Sequence, residues 1–83
     1  MNIYVGNLDF KVNENDLEKI FGEYGTVSSS KIITDKYSGR SRGFGFVTME
    51  NQDEAKKSIK ALDGTTLHNR EIVVNEAKPR KND

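Results

Sequence analysis

The sequence predicts an α+β domain of order β-α-β-β-α-β, a four-stranded antiparallel sheet backed on one face by two helices. Three observations predict it. Two segments carry helix-start signals followed by apolar residues at helical spacing. Four runs are rich in β-branched and aromatic residues. A polar, glycine-containing loop, DKYSGRSRG, joins the second run to the third as a hairpin would.

In chain order, residues 3–5 form the first strand run. Asn13 then has the chemistry of a helix N-cap, and Asp16 makes an approximate capping box with it. Val12 and Leu17 occupy the hydrophobic-staple positions around that cap. Leu17, Ile20, Phe21 and Tyr24 follow at i, i+3, i+4 and i+7, and Gly25 offers a left-handed stop. Residues 27–34 and 44–49 supply the hairpin strands. Asn51 caps the second helix with Glu54 completing its box, Ala55, Ser58, Ile59 and Leu62 share one face, and Asp63-Gly64 ends it. Residues 72–75 form the last strand run, leaving residues 1–80 as the domain and 81–83 as a polar tail.

Composition narrows the function. An 83-residue chain supports one domain with one modest core. With no cysteine, disulfides and thiolate metal sites are excluded, which fits a reducing compartment. No apolar run approaches the roughly 20 residues that span a bilayer, and the N-terminus lacks the pattern of a secretory signal. A cytoplasmic, membrane-free protein is expected. Net charge is zero, from 13 basic and 13 acidic residues, but the charges are segregated. Residues 27–49 carry four basic residues against one acidic, and residues 14–26 carry four acidic against one basic. On opposite faces, those segments give a neutral protein one basic side.

Alternation along the strands sorts the aromatics. Gly45, Val47 and Met49 share one face, and Phe44, Phe46 and Thr48 the other; Ile3 and Val5 likewise oppose Tyr4. Two helices with one apolar face each cover one side of a sheet, and the aliphatic side is their natural partner. Tyr4, Phe44 and Phe46 are then left on an open face. Burying each would contribute about 1.5–3 kcal/mol, so another use for them is expected. Unstacked bases suit them, since stacking on an aromatic is worth roughly 1–3 kcal/mol per base. Arg42 beside the pair suits a phosphate.

Two motifs then carry a resemblance. RGFGFVTM, residues 42–49, matches the octamer of the RNA recognition motif, and IYVGNL, residues 3–8, matches its companion hexamer. GTTLHNREIVVNEAKPR is similar to the family's closing pattern, so the resemblance covers residues 2–80. It implies a ferredoxin-like βαββαβ sandwich with the two motifs on adjacent central strands. Met49 departs from the aromatic that usually ends the octamer, and its parity places the change in the core. The chain looks closest to small single-domain bacterial proteins of cyanobacterial type and to the domain of plant glycine-rich RNA-binding proteins. The early first strand and the lack of a glycine-rich extension favour a complete bacterial protein, and an engineered copy is an alternative.

The resemblance implies single-stranded RNA as partner, with single-stranded DNA as an alternative, and a role as RNA chaperone or post-transcriptional regulator. Tyr4 and Phe44 are expected to stack bases, Phe46 to meet a sugar or a third base, and Arg42 to neutralise phosphate. Lys31 and Ile33 flank this platform by parity, unless a bulge among Ser28, Ser29 and Ser30 shifts the register. Arg40 and Lys36 belong to the hairpin loop that often closes over RNA in the family. Asn75, Glu76 and Ala77 end the last strand beside the first, where main-chain and amide groups can read base edges. Lys78, Arg80 and Lys81 form a basic tail placed to cross the sheet, and Asn2 shares the face of Tyr4. Asn7 and His68 read as turn residues.

Catalysis is not expected, and no cofactor is implied. GFGFVT runs into a strand and lacks the third glycine of a dinucleotide loop. The sole histidine has no serine or carboxylate spaced to make it a base. The competing reading is a protein-binding module that docks a peptide on the aromatic or acidic face. A monomer is expected.

Overall fold

A computed structural model of the chain describes residues 1–39 and 41–77, without the side chains of Ser41 and Arg42. The elements are β1 (Asn2–Gly6), α1 (Glu14–Gly22), β2 (Ser29–Thr34), β3 (Ser41–Thr48), α2 (Gln52–Leu62), β4 (Thr66–Leu67), β5 (Arg70–Glu71) and β6 (Val73–Glu76). The main sheet is antiparallel in the order β2-β3-β1-β6, with β1 and β3 at its centre. The expected last strand is β6, one residue later than read from the sequence.

The core lies between this sheet and the two helices. Ile3, Val5, Val47 and Val74 from the strands, with Met49 just after β3, meet Leu17 and Phe21 of α1 and Ala55 and Leu62 of α2. Met49 is fully buried, as its parity requires, and its sulfur accepts from the Ser58 hydroxyl at 3.6 Å.

The α1 start forms as its residues dictate. The Asn13 side chain accepts from the Asp16 amide at 2.9 Å, and the Asp16 carboxylate accepts from the Asn13 amide at 3.1 Å. Its end differs from expectation. The helix stops at Gly22, the Tyr24 amide donates to the Phe21 carbonyl at 3.0 Å, and Gly25 is not left-handed. Gly25 serves by having no Cβ: an added one would run into the carboxylate of Glu54. That carboxylate accepts from the Thr26 amide at 3.2 Å, so it pins the loop after α1 and does not return to its own cap. The Asn51 half of the second box is present, with the Glu54 amide donating to the Asn51 side chain at 3.0 Å.

Two features are not expected from the sequence. The turn expected at His68 closes a short β4–β5 hairpin that is not, with His68 and Asn69 both at positive φ (51° and 66°), the backbone of a type I′ turn. The β2–β3 register slips between Ile32 and Thr34, past the serines where the sequence allows a bulge. Gly43 (φ 83°) lies opposite this slip, and its carbonyl accepts from the Leu8 amide at 2.8 Å. Ser29, Ser30 and Lys31 therefore pair in regular order with Thr48, Val47 and Phe46. Among the described residues, no helix is long and apolar enough to cross a membrane.

Candidate nucleic-acid interface

The sheet face away from the helices is built around Tyr4, Phe44 and Phe46. Strand pairing sets Tyr4 directly opposite Phe46, with Lys31 on the outer side of Phe46 and Asn75 on the outer side of Tyr4. One row of side chains thus crosses all four strands: Lys31, Phe46, Tyr4, Asn75. In the next row, Asn2 pairs with Thr48, whose hydroxyl donates to the Asn2 side-chain oxygen at 2.9 Å.

The three rings form a closed triangle. Ring centroids lie 6.0 Å apart for Tyr4–Phe44 and for Tyr4–Phe46, and 6.2 Å apart for Phe44–Phe46. Tyr4 and Phe44 are mutually tilted by 32°, whereas Phe46 meets both edge-on, at 65° and 89°. Each ring is half-buried. Tyr4 lies down along its strand over Gly6, where an added Cβ would come within 2.8 Å of its ring carbons. The glycine after the aromatic thus allows a tyrosine to lie flat on the sheet. Gly45 acts differently. A Cβ there would strike the Lys31 carbonyl, so its absence lets β2 and β3 close behind the rings.

The remaining expected positions divide. Lys31 and Asn75 are exposed on the aromatic side, and Ile33 is half-buried at the register slip, where parity with Lys31 no longer fixes its face. Ala77 continues the sheet edge, its amide donating to the Asn2 carbonyl at 2.9 Å. The main chain of Glu76 has the place expected of it, paired with Ile3 at the end of the last strand. Glu76 follows the buried Val74 by two residues, so its side chain points to the helix side, where it lines a cleft with Lys56, Lys57 and Lys60 of α2. Only its main chain remains at the sheet edge. Arg40, Lys78, Arg80 and Lys81, with the side chain of Arg42, lie outside the described residues. Lys36 sits over the ring of Tyr37 at 5.9 Å.

Of the four basic residues in 27–49, Lys31 has a described place in the sheet, Lys36 lies in the loop after β2, and Arg40 with the side chain of Arg42 lies outside the described residues. The acidic residues Glu14, Asp16 and Glu18 belong to α1, behind the sheet, while Lys31 stands on the aromatic side. The Glu14 carboxylate accepts from the Ile32 amide at 3.2 Å, at the edge of the sheet.

A region that the sequence does not announce adjoins the rings. A cleft of about 310 Å³ runs off the Tyr4–Phe44 end, lined also by Asn7, Phe10 and Arg70. Asn7 adopts a positive φ of 56°, accepts from the Arg70 guanidinium at 2.8 Å and donates to the Glu71 carbonyl at 2.5 Å. It is the turn residue expected, and it also ties the β4–β5 hairpin to the end of β1. The available signal is Phe10, a lone aromatic in the polar run DFKVNEN.

An antiparallel four-stranded sheet with helices on one face and an aromatic triangle on the other defines a small surface-binding module. Its family is shown by comparison. Residues 3–73 match the model of the RNA recognition motif, and the chain belongs to that family. RbpA of Synechocystis sp. strain PCC 6803, provisionally named for RNA binding, is 50% identical over 82 residues, covering 99% of this chain and 81% of that protein. The chloroplast 28 kDa ribonucleoprotein of Spinacia oleracea is 49% identical over 78 residues, 94% of this chain and 34% of its own length. Among solved structures, the RNA-binding protein PG1 superposes with a TM-score of 0.93 at 46% identity over 99% of each chain. A Sxl-lethal protein–RNA complex superposes with a TM-score of 0.85 at 35% identity, over 92% of this chain and 47% of the other.

Proposed function

We propose that the chain binds single-stranded RNA across the open face of the sheet, taking two to four nucleotides, and has no catalytic role. The observation that carries this reading is the triangle of Tyr4, Phe44 and Phe46 on the side that neither helix covers, with centroids 6.0–6.2 Å apart. Tyr4 and Phe44, tilted by 32° to one another, present faces for two bases. Phe46, edge-on to both, meets a sugar or a third base. Arg42 and Lys31 neutralise phosphate, and Asn75 with the main chain at residues 76–77 contacts base edges. Asn2, Arg40, Lys78 and Arg80 complete the proposed contact set, with Ile33 as its apolar margin.

Stacking on three rings grosses roughly 3–9 kcal/mol. Immobilising both partners offsets much of it, so the expected affinity is about micromolar. With few phosphate contacts the salt dependence is moderate. The names of RbpA and the spinach ribonucleoprotein support the ligand class. We extend the proposal to a monomer acting as an RNA chaperone or post-transcriptional regulator in the cytoplasm. The spinach relative is chloroplastic, and tagging in the source cell distinguishes the two locations.

The test is an NMR titration of labelled protein with a pool of short single-stranded RNA. Saturable amide shifts at Tyr4, residues 42–46 and residues 75–80 are expected. Silence at high micromolar RNA in low salt would remove the reading and leave the aromatic face to a protein partner. A parallel titration with single-stranded DNA measures how far the sugar is read.

A further inference from the structure

Phe10 is 70% exposed, although it is one of the four phenylalanines of the chain. Its position is imposed by a folded turn. The Asp9 carboxylate accepts from the Lys11 amide at 2.8 Å, and the Asp9 carbonyl accepts from the Val12 amide at 3.0 Å. Val12 is then buried and Phe10 is carried outward at the turn. The ring reaches the cleft that also contains Tyr4 and Phe44, so it continues the aromatic surface beyond the triangle.

Among the described residues lining that cleft, Arg70 is the only charged one. It is delivered by the β4–β5 turn and steadied through one bond to Asn7, itself held to Glu71. A guanidinium has five N–H donors, so anchorage through one leaves others to offer an anion. A steadied cation beside an outward aromatic matches the two parts of a nucleotide, a flat base and a charged phosphate.

We propose that this cleft is an additional nucleotide subsite, in which Phe10 stacks a base next to those on the platform and Arg70 meets its phosphate. The inference rests on the RNA-binding reading of the triangle. The bound strand leaves the sheet at the Tyr4–Phe44 end and runs over the loop after β1. Strands longer than the platform gain affinity there, and trimers do not.

The test compares random-sequence single-stranded RNA trimers and octamers by fluorescence anisotropy, using Phe10→Leu, Arg70→Gln and Phe44→Leu. Phe10→Leu is expected to weaken octamer binding about tenfold, from the lost stacking of one base, and to leave trimer binding unchanged. Arg70→Gln keeps a donor for Asn7 and should lower the slope of log affinity against log salt by about 0.7 for octamers only. The chain has no tryptophan, so Phe10→Trp places a single indole whose emission octamers should quench on stacking. Unchanged octamer affinity in both cleft variants, with Phe44→Leu still impaired, would overturn the subsite and leave the platform standing. If Phe44→Leu binds like the wild type, or the wild type binds no octamer, both readings fall. Octamer-independent capture of a peptide at Phe10 would also overturn the proposal.

Discussion

The two faces of the central strands are made from the same short segments, yet they meet opposite fates. Toward the helices, Ile3, Val5 and Val47 are fully buried, as are Met49 just after β3 and Val74 of the neighbouring β6. One position along in β1 and β3, Tyr4, Phe44 and Phe46 stay half-buried and pack edge and face against one another. Both faces carry apolar side chains at their centre, though Asn2, Lys31, Thr48 and Asn75 rim the open one, so hydropathy at the centre does not separate them; shape does. Aliphatic side chains fill the irregular space beneath the helices, and flat rings tile a surface that stays open. One face has its partner within the chain, and the other requires one from outside.

Substitutions can break that contrast, beginning on the covered face. Phe21→Ala empties the centre of the core, where the ring has no exposure, and should cost about 3–5 kcal/mol in urea unfolding. RNA affinity of the fraction that remains folded should be unchanged. On the open face the order reverses. Tyr4→Ala removes a ring that touches both phenylalanines, and anisotropy should show about 5- to 150-fold weaker binding, the equivalent of one lost stack.

Smaller effects sharpen the same comparison. Asn13→Ala removes the α1 cap and should lower stability by about 1 kcal/mol, measured by thermal unfolding, without touching affinity. Gly6→Ala should touch affinity. Its new methyl group forces the Tyr4 ring off its resting place, so affinity should fall about 2- to 10-fold, the scale of a roughly 0.5–1.5 kcal/mol rotamer displacement. Stability should fall by no more than about 1.5 kcal/mol, the upper end of that rotamer cost.

How much of this is legible in the sequence follows from where the determining interactions lie. Strand parity places Tyr4, Phe46 and Met49 correctly, because a period of two holds wherever pairing is regular. The α1 cap is legible because both its members lie within three residues of each other. The end of α1 is not, because Gly25 looks like a local stop, whereas its role is set by Glu54, remote in sequence. Glu76 is suggested as a contact by its neighbourhood, and parity with Val74 puts its side chain behind the sheet. The turn at His68 is legible, but the β4–β5 hairpin it closes is not, because its strands are too short to alternate. Arg70 reaches the aromatic end only through that turn and Asn7, so its position has no local sequence signature.

The most direct measurement pairs stability and affinity in one variant, Phe44→Leu, by urea unfolding and by RNA anisotropy on the same preparation. Leucine keeps an apolar side chain but has no face to stack. The account predicts stability within about 1 kcal/mol of wild type, as for a volume-tolerant apolar exchange, and RNA binding weakened at least about fivefold. Full RNA affinity in a folded Phe44→Leu protein would contradict it. A large loss of stability would place Phe44 with the core and contradict the division of the two faces.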